Sequence, residues 1–423
     1  MKFSKYKLGE LLRVTRGASL AGTGYADAGR YLRLTLANFN EEGGFKDFKS
    51  TQGKYFTDSF DRRFLMRKGD LITPLTEQSP GLLGSVAFIP CDDLYIQSQD
   101  VGLITCNPEK LDKTFAYYLF LTHSVREQIS ARSQQTKIRH TSPDKISDIE
   151  VYIPDMPTQL RIAGVLGSLD EKIALNRKKI AELEALAKTI YDYWFVQFDF
   201  PNKDGKPYKS SGGKMVWNDQ LKREVPEGWE VVPFKCCCSI KSGFPFKASD
   251  FLSNGKYGVI TIKNVQDNYI DHCAESFLDA YPDSMPHCFR LHRGDILMSL
   301  TGYVGRVGIV TQDNYLLNQR VALVSPKKEE YRLFIYNTLQ TPFIRQLIEN
   351  LANGCAQLNV SPIDCENIVI PFSEKIITAY YVLLNSTLTR YIQCQRQIQE
   401  IEKLRDFLLP LLMNEQVTVG DFK

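Results

Sequence analysis

An internal duplication limits what this sequence can become. Arg33-Leu34-Thr35-Leu36-Ala37-Asn38 answers to Val259-Ile260-Thr261-Ile262-Lys263-Asn264, and Arg16-Gly17 answers to Ser242-Gly243 at the same offset. Both read as a strand following a glycine loop. Downstream, Arg67-Lys68-Gly69-Asp70-Leu71-Ile72 matches His292-Arg293-Gly294-Asp295-Ile296-Leu297, a Gly-Asp turn leading into an apolar strand. Gly81-Leu82-Leu83-Gly84-Ser85-Val86 then pairs with Gly302-Tyr303-Val304-Gly305-Arg306-Val307. Apolar strands follow Gln99 and Gln319, helical stretches start at Phe115 and Leu333, and Ser142-Pro143 and Ser361-Pro362 lead to Pro154 and Pro371. The order never changes, while the offset drifts only from 226 to about 218. A period this long exceeds the roughly 20 to 50 residues of a stacking repeat, so each copy is a domain with its own core. Short β-branched strands broken by Gly, Asp and Pro, with one or two helices per copy, make the fold class α+β.

After each domain the apolar period changes from two to a heptad. Ile162, Leu166, Leu169, Ile173, Asn176, Ile180, Leu183, Ala187, Ile190 and Trp194 alternate spacings of four and three, the seam of a coiled coil. Asp155 or Thr158 suits the cap, Pro157 the first turn, and Pro201 to Gly205 forbid continuation. From Ile162 to Trp194 such a helix is about 50 Å long. A second seam runs at the same phase through Tyr380, Leu384, Thr387, Tyr391, Cys394, Ile398, Ile401, Arg405, Leu408 and Leu412. Ser373 is its expected cap, and Pro410 is expected to kink or end its last turn. A narrow apolar seam has to be buried, and each helix offers the other a partner of matching length. The two are therefore expected to pair as an antiparallel coiled coil, with Asn176 fixing the register against a polar or small residue. Packing of each helix on its own domain, or dimerisation through the seams, are the alternatives. The expected boundaries are 1–157 for the first domain, 158–200 for the central helix, 201–228 for a linker, 229–371 for the second domain and 372–423 for the C-terminal helix.

Composition narrows the class further. With 43% hydrophobic and 24% charged residues the chain can bury ordinary cores, and a net charge of +3 leaves attraction to a polyanion to local patches. Ten cysteines, three of them consecutive at Cys236, Cys237 and Cys238, do not make a disulfide scaffold, so a reducing cytoplasm is expected. No apolar stretch approaches the roughly 18 residues of a membrane span. The phosphate cradle of a nucleotide-driven motor is missing, since Gly213-Lys214 is followed by Met215. The Asn-Pro-Pro-aromatic loop of amino-methyltransferases is missing too. Pro154-Asp155 followed by Asp170-Glu171-Lys172 imitates a metal-nuclease spacing. Yet Asp170 and Lys172 flank seam positions on a helix, whereas nuclease carboxylates converge on a metal from adjacent strands. His272-Cys273 and His287-Cys288 lack the spacing of zinc ligands. No catalytic residue and no metal site is expected.

With Tyr191-Asp192-Tyr193-Trp194-Phe195 closing the central helix and Pro226-Glu227-Gly228-Trp229-Glu230 leading into the second domain, the whole chain resembles the specificity subunit of type I restriction-modification systems. That resemblance implies two target recognition domains, each reading half of a split double-stranded DNA site. It implies helices that space the halves and dock two methyltransferase subunits, with restriction motor-nuclease subunits joining through the complex. S-adenosylmethionine, ATP and Mg²⁺ would belong to those partners and none to this chain. A related system with fused methylase and nuclease has a similar specificity chain. A stand-alone nuclease and a coiled-coil scaffold that never touches DNA are the competing readings.

Reading DNA takes cations for phosphates and forked polar groups for base edges. In the first domain the candidates are Arg16, Lys46, Arg62, Arg63, Gln78, Ser85, Gln134, Gln135, Lys137 and Arg139. In the second they are Lys241, Lys247, Lys263, Tyr303, Arg306, Gln319, Arg320, Asn353 and Gln357. Foremost is the Gly302 to Arg306 loop, where flanking glycines let backbone approach DNA while an aromatic and a cation project. Because a rod of about 50 Å exceeds one B-DNA turn of about 34 Å, the half-sites are expected in successive major grooves, separated by an unread spacer.

Overall fold

The computed structural model describes residues 3–46, 55–78, 81–133, 139–354, 357–417 and 420. The chain divides into two compact units, Met1–Lys172 with Ile401–Lys423, and Ile173–Glu400.

In the first unit an antiparallel sheet runs in the order Leu12–Arg16, Val101–Cys106, Leu71–Pro74, Ala87–Phe88. The second unit repeats that order with Cys238–Ser242, Val321–Pro326, Ile296–Ser299 and Val307–Ile309. A smaller mixed sheet accompanies each. Its one parallel pair is Tyr31–Arg33 with Tyr95–Ile96 in the first unit and Tyr257–Ile260 with Tyr315–Leu317 in the second. A two-stranded ribbon completes each plan, Ser4–Lys7 with Glu150–Ile153 and Glu230–Pro233 with Val369–Phe372. The Gly-Asp turns work alike: Gly69 and Gly294 take positive φ, and Asp70 and Asp295 accept from the backbone amides of Arg67 (2.8 Å) and His292 (2.7 Å).

One expectation needs correcting in both copies. The strands at Arg33 and Val259 do not continue to Asn38 and Asn264. Instead Leu36–Asn38 and Ile262–Asn264 are 3-10 turns, because the Asn38 and Asn264 amide oxygens accept from the amides of Thr35 and Thr261 at 2.9 Å. A local side-chain bond of this kind competes with a sheet ladder and wins. The helical stretches are the pairs Lys113–Leu121 with His123–Ala131 and Arg332–Gln340 with Pro342–Leu351. Asp112 caps the first, and Thr122 and Thr341 cap the second of each pair.

The central helix covers Met156–Tyr191 and unwinds into a π turn, Asp192–Val196; the C-terminal helix covers Glu374–Met413. Asp155 caps the central helix by accepting from Thr158 N at 3.1 Å. Within the first unit Ile162 and Leu166 enter the core of Leu8, Leu11, Phe115 and Phe120, together with Leu412 and Met413. There Arg405 Nη1 donates to Asp170 Oδ1 at 2.9 Å, and Tyr118 Oη donates to Asp170 Oδ2 at 2.6 Å. The arginine in the seam and the carboxylate of the imitation nuclease motif thus neutralise each other. Within the second unit Asn176 Nδ2 donates to Gln397 Oε1 at 3.1 Å, and Tyr380 Oη donates to the Ala187 carbonyl at 3.2 Å. Within the second unit the partner's number falls from 397 to 380 as the central helix advances from 176 to 187, so the pairing there is antiparallel. Seam residues Leu169, Ile173, Ile180, Leu183, Ile190, Leu384, Tyr391, Ile398, Ile401 and Leu408 are all buried or half-buried.

Pro410 sits in the last turn of the C-terminal helix, which ends at Met413. One detail differs from expectation. The stretch 201–228 is more than a linker, since Met215–Asn218 and Arg223–Pro226 form a hairpin. Its Val225 shares a small aromatic core with Phe198 and Phe200, against which Trp229 and Tyr208 pack.

The second unit also holds a cavity of about 260 Å³ bordered by Glu184, Tyr336, Asn337 and Tyr391. Burial pushes the Glu184 carboxyl up to about 7 from its ordinary 4.5. A carboxyl whose pKa is higher folded than unfolded favours folding below the unfolded value, and that advantage is lost as pH rises through the folded one. Glu184→Gln should therefore raise the denaturant midpoint relative to the parent at about pH 8, with the gap closing by about pH 4; an equal gap at both ends would refute this.

Candidate nucleic-acid interface

Four segments of the second unit meet at one end of its larger sheet. Gly243 N donates to Val321 O (3.0 Å), Gln319 N to Phe244 O (3.1 Å), Leu300 N to Arg320 O (3.1 Å) and Gly302 N to Leu358 O (2.9 Å). These bonds gather Lys241, Gln319, Arg320, Tyr303, Arg306, Asn353 and Gln357. All are exposed except Arg306, which is half-buried.

Gly302 and Gly305 both take positive φ, which swings the chain out and back between Ser299 and Val307. Tyr303 is 74% exposed at the tip. The Arg306 guanidinium lies 4.0 Å from the Tyr303 ring centre, and its Nε is 3.6 Å from Asp267 Oδ2. Arg306 Nη1 approaches Gln266 Oε1 at 3.5 Å, and Asp267 also pairs with Arg345. The cation is thus pre-oriented, stacked on an aromatic face and steered by a carboxylate. Lys263 is joined at one remove, its carbonyl accepting from Gln266 Nε2 at 2.6 Å while its ammonium pairs with Glu275 at 2.8 Å. Lys247 is exposed ahead of the Ala248–Asp250 turn.

The first unit converges in the same way. Ala18 N donates to Gln97 O (3.0 Å), Leu75 N to Asp100 O (2.8 Å) and Thr141 N to Leu75 O (2.9 Å), bringing together segments that carry Arg16, Gln78 and Arg139. Arg16 and Gln78 are exposed. Arg62 and Arg63 lie on the neighbouring Arg62–Phe64 turn, whose Phe64 carbonyl accepts from Gln97 N at 2.9 Å. Arg63 is paired with Asp61 at 3.0 Å. Lys46 is exposed, its backbone held by Asn38. Gln134, Gln135 and Lys137 lie outside the described residues.

Two candidates are corrected. Ser85 is fully buried behind the loop, its carbonyl accepting from Thr73 Oγ1 at 2.9 Å, so its side chain does not reach a surface. Arg139 is committed within the domain: Nη1 lies 3.0 Å from Glu77 Oε1, and Nη2 donates to the Ser130 carbonyl (3.0 Å) and Oγ (2.9 Å). The sequence reading missed Glu77, Gln266, Asp267 and Arg345. For Glu77 a signal existed, because the offset between the copies drops from 225 at Asp70 and Asp295 to 221 at Gly81 and Gly302. Asp267 carries no such mark.

The second unit therefore presents a loop cluster of exposed cations and amides at one end of its larger sheet, and the corresponding segments of the first unit present Arg16 and Gln78. The type I restriction modification DNA specificity domain matches residues 2–185 and again 226–402, and the chain belongs to that family. It is 26% identical over 315 residues to the specificity subunit of the type I restriction enzyme MjaIX of Methanocaldococcus jannaschii, covering 73% of this chain and 69% of that one. With the HindI specificity subunit of Haemophilus influenzae it shares 23% over 405 residues, 83% and 87% of the respective chains. The crystal structure of the type I restriction-modification S subunit from M. genitalium matches with a TM-score of 0.61 at 18% identity, covering 100% of this chain and 97% of that one, in support of the fold. Among the described residues no three His, Cys, Asp or Glu gather as a metal site, and no helix is long and apolar enough to cross a membrane.

Proposed function

We propose that this chain is the sequence-specific DNA-recognition subunit of a type I restriction-modification complex, each domain reading half of a bipartite target. The observation that carries this reading is the convergence of exposed Lys241, Gln319, Arg320, Asn353 and Gln357 on one end of the second unit's larger sheet, echoed by exposed Arg16 and Gln78 in the first, in a chain of the specificity family. Two methyltransferase subunits dock on the paired helices, and the restriction subunits join through them. Methyl transfer from S-adenosylmethionine and ATP- and Mg²⁺-dependent translocation and cleavage are the partners' work; this chain supplies address and spacing, in the cytoplasm.

The test is genome-wide mapping of methylated bases in a methylation-free bacterial host that expresses the chain with its cognate methyltransferase subunit. A split motif supports the reading. No new methylation, with both proteins soluble and associated, favours a scaffold, and metal-dependent cutting by the purified chain favours a nuclease. Within the motif, Arg306→Ala should relax one base position in the half read by the second domain, costing about 1 to 3 kcal/mol of discrimination. An equal loss of affinity across all sequences would instead make Arg306 a phosphate contact.

A further inference from the structure

The corresponding loops of the two domains are fastened by different means. In the second unit, Leu300 N bonds to Arg320 O, Val360 N to Leu300 O, and the chain turns at once at Gly302. In the first, Leu75 N bonds to Asp100 O and Thr141 N to Leu75 O, which makes Leu75 the counterpart of Leu300 and Thr76 that of Thr301. Here the chain does not turn. It continues one residue further as a strand, with Glu77 opposite Arg139, and reaches Gly81 only after Gln78, Ser79 and Pro80. Glu77, Gln78, Ser79 and Pro80 are extra residues without counterpart in the other copy.

That insertion carries its own anchor. Glu77 is 1% exposed, and its Oε2 accepts from three successive amides, Gly81 (3.1 Å), Leu82 (2.9 Å) and Leu83 (2.9 Å). Its Oε1 faces Arg139 Nη1 at 3.0 Å. Successive amides form an anion-binding nest, and here the domain's own carboxylate fills it. Charge-assisted bonds in a buried setting are the strong kind, and removing one partner leaves the others unsatisfied. From the far side Arg126 Nη2 donates to the Gly81 carbonyl. Gln78, the next residue, is exposed and bears the forked amide that suits an adenine edge.

We infer that Glu77, clamped by Arg139 and bonded to the amides of Gly81, Leu82 and Leu83, is the positioning residue that fixes the chain beside Gln78 so that Gln78 reads a base. This rests on the DNA-recognition reading proposed above. Glu77 itself touches no DNA, and Arg139 acts through it.

The test compares Gln78→Ala, Glu77→Gln and Arg139→Gln in the complex with the cognate methyltransferase, by methylation mapping and by methylation rates on the parental target and its single-base variants. All three should relax the same position in the first half of the motif and leave the second half unchanged. Discrimination there should fall roughly ten- to a hundredfold, the range set by one bidentate base contact. A merely structural role would slow methylation of every target alike and keep the ratio between them. The second half-site reports whether each variant is folded and assembled; should Glu77→Gln fail to assemble, Arg139→Gln, which keeps the carboxylate and its three amide bonds, decides the matter. The inference is overturned if Gln78→Ala leaves the motif intact, or if it relaxes a position that neither other variant alters. A parental complex that yields no split motif would overturn the DNA-recognition reading instead.

Discussion

Replacing Tyr380 by Ala should lower the stability of the unit Ile173–Glu400 by about 3 to 5 kcal/mol, the range for truncating a large buried aromatic. Tyr380 is fully buried, with ring centres of Phe195 at 5.2 Å, Trp194 at 5.8 Å and Tyr191 at 6.3 Å. Its hydroxyl accepts from Asn337 Nδ2 at 3.0 Å and donates to the Ala187 carbonyl, so truncation opens a cavity and strips two polar groups of a partner. Tyr380→Phe keeps the ring and should cost only about 1 kcal/mol. Denaturant unfolding followed by tryptophan fluorescence separates the variants, because the Trp194 ring packs at a tilt against the altered one. Similar losses for Ala and Phe would mean that the hydroxyl, not the ring, holds this joint.

The second large effect concerns target spacing. Seven residues inserted after Lys172 and seven after Glu400 keep both seams in phase, because a heptad returns each seam residue to the same face. About 10 Å is added to each helix. The methylated motif should keep both halves and gain a longer unread spacer. An unchanged spacer would refute the idea that the helices act as a ruler. An insertion in one helix alone should abolish activity, since the pairs Asp170–Arg405 and Asn176–Gln397, which flank the insertion points, could no longer both form.

What the sequence made legible was whatever local chemistry writes into neighbouring residues. The duplication could be read because Gly69-Asp70 and Gly294-Asp295 each need a positive φ followed by an acceptor, and few residues serve. The seams could be read because burial leaves a periodic mark. Arg405 looked like a defect, since its partner Asp170 lies 235 residues away and only the antiparallel register brings them together. Arg139 and Ser85 were misplaced for the same reason. Arg139 is claimed by Glu77, distant in sequence, and Ser85 lies beneath a glycine-flanked loop whose fold no neighbour announces. The strand expected through Asn38 failed because β-propensity in Leu34 to Leu36 was outbid by one amide bond to Thr35.

The core shared by Leu8, Leu11, Leu412 and Met413 bears on how the protein is made. The unit Ile173–Glu400 is continuous in sequence and can close as soon as it leaves the ribosome. The unit that begins the chain cannot. At roughly 5 to 20 residues per second, its exposed apolar face waits on the order of tens of seconds for the last helical turns to arrive. The unit synthesised earlier is the one finished later, so a chain stalled between residues 400 and 412 would carry one completed domain and one open core, a natural substrate for chaperone capture.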